Sequence, residues 1–137
     1  MPQAIVEENP APIPYAGLAP RRLVYLDSIR STNHVKLLER ARVLSHKLDL
    51  RFEKMFLEEI FPNQFRQDCL VFAPANTGAT CNTVLGASQN AKAVLLCADN
   101  PRTLRDLGYQ QLDFVRVISL IDDDRHLELL TRQLLYR

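Results

Sequence analysis

Between positions 68 and 107 the chain twice follows an apolar run with a proline-marked loop and then a helical pattern, and no other feature constrains its fold as tightly. Cys69-Leu70-Val71-Phe72 and Ala93-Val94-Leu95-Leu96-Cys97 are unbroken apolar runs of strand length, as strands buried on both faces require. The loops that follow read Ala73-Pro74-Ala75-Asn76 and Ala98-Asp99-Asn100-Pro101. Helices are predicted over 82–90 and 101–107, the second stopped by Gly108. Strands separated by helices imply right-handed βαβ crossovers and a mostly parallel sheet, with ligands at the carboxyl ends of the strands.

The alternation continues on both sides. Leu23-Val24-Tyr25-Leu26 reads as a buried strand ended by Asp27-Ser28. A helix with its N-cap at Ser31, Thr32 or Asn33 should follow, because Val35, Leu37, Leu38, Ala41, Leu44 and Leu48 recur on one helical face. Its polar face carries Lys36, Glu39, Arg40, Arg42 and Lys47, suited to solvent, to RNA phosphate or to an acidic partner. Residues 51–61 read two ways. Periodicity slightly favours continuing the helix, whereas a parallel sheet prefers a strand after a turn at Leu48-Asp49-Leu50. A strand over 114–121 and a helix over 123–136 complete the pattern.

At 137 residues the chain is long enough for one domain. Seventeen Lys and Arg against sixteen Asp and Glu leave a net charge of +1, which excludes a whole-chain pull toward nucleic acid or anionic lipid. Three cysteines, Cys69, Cys81 and Cys97, show neither a Cys-x-x-Cys pair nor metal-ligand spacing and suit a reducing, intracellular setting, in cytoplasm or an organelle matrix. No apolar run approaches the roughly 20 residues that span a bilayer, and no secretory signal or presequence is visible. Five of the eight prolines fall in the first 20 residues. Residues 1–21 are therefore expected to be an extended arm suited to lie along a partner, and 22–137 a single α/β domain.

In layout, the stretch from Leu23 to the C-terminus resembles a class I S-adenosylmethionine-dependent methyltransferase from its second core strand onward, and most closely the RNA uracil-C5 methyltransferases. Tyr25-Leu26-Asp27-Ser28 and the following helix resemble the strand whose terminal acid holds the cofactor ribose, which assigns that role to Asp27. The segment from Asp68 to Gly78 resembles the strand ending in Asp-Pro-Pro-Arg; here those positions are Ala73, Pro74, Ala75 and Asn76, so the resemblance makes Ala73, Pro74 and Asn76 vestigial cofactor contacts. Val94 to Leu104 resembles the strand and loop reading Ser-Cys-Asn-Pro-x-Thr-Leu. Aligning Asn100-Pro101 puts Asp99 at the nucleophile's position, with Cys97 two residues earlier. His126-Leu127-Glu128 resembles His-x-Glu, whose glutamate is a general base. Cys97, Asp99 and Glu128 are thus the catalytic candidates the resemblance implies.

The departures set the functional expectation. Nothing supplies the first strand and the glycine-rich turn, and the four glycines, at 17, 78, 86 and 108, are dispersed. C5 methylation needs a thiolate in near-attack geometry, and a cysteine displaced by two strand positions misses it by several ångströms. The expectation is a truncated, Rossmann-like, methyltransferase-like pseudoenzyme. It would serve as a structural or interaction subunit of a larger assembly, with RNA a candidate component and protein partners covering an incomplete sheet edge and the arm. No cofactor is expected, S-adenosylmethionine entering only if a partner completes the site. One alternative is half of a split RNA methyltransferase. Another is a degenerate P-loop-like nucleotide binder at Thr77 to Thr80, residues that a turn with Thr80 capping the next helix explains equally well. Asp122-Asp123-Asp124 reads as a helix cap rather than a cation site, the three histidines lack metal spacing, and Arg102, Arg105 and Arg116 form a candidate basic edge.

Overall fold

A computed structural model describes residues 20–28, 35–98, 102, 108, 112–119 and 123–136. Five strands, β1 (Arg22–Asp27), β2 (Arg51–Phe56), β3 (Cys69–Pro74), β4 (Ala93–Ala98) and β5 (Val115–Ser119), form one sheet in the order β2-β1-β3-β4-β5. Every pairing is parallel. The helices are α1 (Val35–Lys47), α2 (Gly78–Ala87) and α3 (Asp124–Leu135). The chain is thus an α/β protein with a truncated Rossmann-like architecture.

Burial on both faces explains why the strands read as apolar runs rather than as alternating ones. On one face Leu23, Tyr25, Leu70, Phe72, Leu95, Cys97 and Ile118 pack against α1 and α3. On the other, Val24, Leu26, Val71, Ala73, Leu96 and Val117 pack with Cys81 and Val84 of α2. Local chemistry ends the helices: Asp123 Oδ1 accepts from His126 N at the start of α3 at 2.8 Å, and Asp49, at φ 57°, turns the chain out of α1 toward β2.

Folding decides one open reading and changes one expectation. Residues 51–56 are strand, and only one 3-10 turn, Leu57–Glu59, follows, because pairing with β1 along six residues outweighs the helical periodicity. Helix α2 begins at Gly78, four residues ahead of the predicted start, with Thr77 as its N-cap in place of Thr80; the Thr77 hydroxyl accepts from Thr80 N at 3.1 Å. The expected N-cap at 31–33, the helix over 101–107 apart from an exposed Arg102, and the arm over 1–19 lie outside the described residues. Among the described residues no helix is long and apolar enough to cross a membrane.

Candidate functional site

In an open parallel sheet the ligand crevice forms where successive connections leave in opposite directions, at the carboxyl ends of the strands. Here the chain steps from β1 to β2 on one side and returns past β1 to β3 on the other, so that point lies between β1 and β3. Their ladder runs from Arg22↔Cys69 to Tyr25↔Phe72 and stops, while β1 stays paired with β2 through Asp27↔Phe56 and β3 with β4 through Pro74↔Cys97. Past Tyr25 and Phe72 the two strands part. A cavity of about 200 Å³ opens there, lined among the described residues by Leu26, Ser28, Leu57, Pro74, Asn76, Thr77 and Thr80.

Its lining is hydroxyl, amide and hydrocarbon, with no Lys or Arg to neutralise a phosphate. The two threonines are turned on each other, Thr77 Oγ1 lying 3.1 Å from Thr80 Oγ1, and the Thr80 amide is already spent on the cap. Ser28 Oγ donates to Glu58 Oε2 at 2.7 Å, which places a carboxylate beside the cavity. A nucleoside triphosphate therefore finds no charge complement among these side chains. The volume is also below the roughly 300–1,000 Å³ common for sites that enclose drug-sized ligands. A small uncharged polar group is what such a lining can hold.

Of the cofactor candidates, Pro74 and Asn76 line this cavity, and Ala73 is fully buried just below them in β3. Asp27 ends β1 between the lining residues Leu26 and Ser28 and is not itself part of the lining. Strand alternation sets it with Tyr25 on the α1 face, where its carboxylate faces Lys54 Nζ at 3.8 Å and its Oδ1 accepts from Ser28 N at 2.8 Å. Beside Asp27, Tyr25 is completely buried, its hydroxyl has no hydrogen-bond partner among the described residues, and burial, helped by the Asp27 and Cys97 charges, holds its pKa above the usual phenol value.

The catalytic candidates are also apart. Cys97 is 1% exposed and belongs to the core beneath α1 and α3, in register with Pro74. Its side chain is sealed in the sheet instead of opening onto the crevice. Glu128 lies in the seam between α3 and the last turn of α1, where its two oxygens meet Lys47 Nζ at 3.8 Å and Arg132 Nη2 at 3.0 Å. Arg132 Nη2 also donates to the Lys47 carbonyl at 3.2 Å, which ties the carboxylate to the end of α1. Asp99 lies outside the described residues. Among the basic-edge candidates, the Arg116 guanidinium turns back on its own strand, donating to Val115 O at 2.8 Å.

Ser28 and Leu57 were not anticipated in the cavity lining. Ser28 was legible as the residue after a strand-ending acid, whereas Leu57 had no signal because its segment read equally as helix. Among the described residues no group of three or more His, Cys, Asp or Glu could hold a metal ion. Comparison with known protein families, curated proteins and solved structures finds no match.

Proposed function

We propose that this chain is a catalytically inactive, methyltransferase-like domain that serves as a structural or interaction subunit of a larger assembly, with RNA a candidate component. One observation supports the reading above the others: β1 is hydrogen-bonded directly to β3. In a doubly wound sheet of order 3-2-1-4-5-6, the first strand carries the glycine-rich turn and lies between the second and the fourth. If β1 corresponds to the second strand and β3 to the fourth, the order here is that sheet with its first strand deleted and the gap closed. The donor-cradling turn then has no slot between the strands that would flank it.

The placements of Cys97 and Glu128 support the same reading, since a buried thiol and a twice-paired carboxylate are poorly disposed as nucleophile and base. The split-enzyme alternative requires a partner that pries β1 from β3 to insert a strand, or that builds its own donor pocket against the carboxyl ends. Titration calorimetry of the whole chain with S-adenosylmethionine tests the proposal. No binding heat is expected, and a micromolar dissociation constant overturns it.

A further inference from the structure

Helices α1 and α3 pack side by side on one face of the sheet, joined by Arg40 to Asp124 at 3.4 Å and Lys47 to Glu128 at 3.8 Å. Together they carry six Lys and Arg against three Asp and Glu, an excess of three cations in a chain whose whole net charge is +1. The outermost line of α3 runs Arg125, Leu129, Arg132, Tyr136, at the spacing of a single helical stripe. Leu129 is 58% exposed and Tyr136 56%, on a helix whose Leu127, Leu134 and Leu135 satisfy the core. Leu129 is therefore mostly uncovered by the described residues. It borders a shallow cavity of about 510 Å³ shared with Arg125, His126 and Arg132 and with the acids Asp123 and Glu128, the latter already paired with Arg132.

We propose that the α1–α3 face is a docking surface for an acidic amphipathic helix of a partner protein. This rests on the non-catalytic, interaction-subunit reading above and names the surface and the chemistry of its partner. Exposed leucine and tyrosine alternating with arginine is the composition of an anchor patch rimmed by charge. A helix with a leucine stripe flanked by glutamates lays apolar side chains over Leu129 and Tyr136 and places carboxylates against Arg125 and Arg132. The choice of protein over nucleic acid follows from the carboxylates already in the seam. Asp124 and Glu128 sit among the cations, and a continuous phosphate backbone running along the groove meets both. A partner helix can place its acids selectively beside the arginines and avoid them.

The test uses the full chain and a synthetic amphipathic peptide of about 20 residues, long enough to form helix, with leucine on one face and glutamate on the other. Fluorescence anisotropy at low salt should show saturable binding of this peptide. A matched peptide with lysine for glutamate, and a single-stranded RNA of equal charge, should bind at least about tenfold more weakly. Arg125→Glu and Leu129→Ser alter exposed side chains outside the core, and each should weaken the glutamate peptide by about tenfold, with Arg125→Glu shifting preference toward the lysine peptide. Equal binding by both variants, or tighter binding by RNA, overturns the proposal. The two readings fail separately: loss of peptide binding with silent S-adenosylmethionine calorimetry removes this surface alone, whereas donor binding removes the inactive-domain reading.

Discussion

Cys69 shows how burial decides what a side chain can do. Enclosed at the start of β3, its thiol is pushed up from 9.0 to about 11, chiefly by desolvation, and burial raises Cys81 in the same direction. All three thiols should resist maleimide labelling at pH 8 in the native chain and react at once in denaturant. Stability should also fall as pH rises from 9 toward 11, because the unfolded chain gives up the Cys69 proton first. The slope from this group is at most about 1.4 kcal/mol per pH unit, measurable by urea titration. At the N-terminus of α3, Asp123→Ala removes the carboxylate that accepts from His126 N and should cost about 1 kcal/mol. Residue types at strand ends and caps were legible from order along the chain. Which cap won at α2 was not, since Thr77 and Thr80 are chemically alike and only the depth at which α2 meets the sheet separates them.

Among the elements, α2 is the one whose composition is least like a surface helix: Gly78 to Ala87 contains no charged residue. Its Gly86 is helical, and a Cβ built there meets nothing among the described residues within 4 Å. Gly86→Ala should therefore stabilise the chain by about 0.5–1 kcal/mol, read as a higher denaturation midpoint, since it trims unfolded-state freedom without a clash. Strand β2 teaches the opposite lesson. Its charges are organised, Glu53 taking Arg22 at 2.7 Å and Arg51 at 2.9 Å, while Arg42 and Lys54 lie over the rings of Phe52 and Phe56. None of these partners is near in sequence except Arg51 and Lys54. Periodicity alone therefore misjudged the segment: its helical spacing was accidental, and the six-residue ladder with β1 decided its conformation.

For the whole molecule, the pairing of β1 with β3 matters most. The two strands are direct neighbours, and among the described residues the sheet ends at β2 and β5. Two apolar cores sharing one sheet should unfold cooperatively, and Leu70→Ala, in the central strand and fully buried, should cost about 2–5 kcal/mol in one transition by heat or urea. The pairing also sets the crevice, because strands that pair for four residues and then separate leave a cavity only above Tyr25 and Phe72.

The amino-acid sequence by itself determined that the protein is α/β, that its strands are buried on both faces, and where most elements lie, since these follow from apolar runs, helical spacing and proline loops within short windows. Strand order, the face each side chain takes and the distance between candidate residues were decided only by tertiary structure. Asp27 sits beside Lys54 at the end of β1, Cys97 is sealed in the core under α1 and α3, and Glu128 is paired in the seam between those two helices. Such relations depend on contacts between segments dozens of residues apart, whose free energy is realised only when the whole core packs at once.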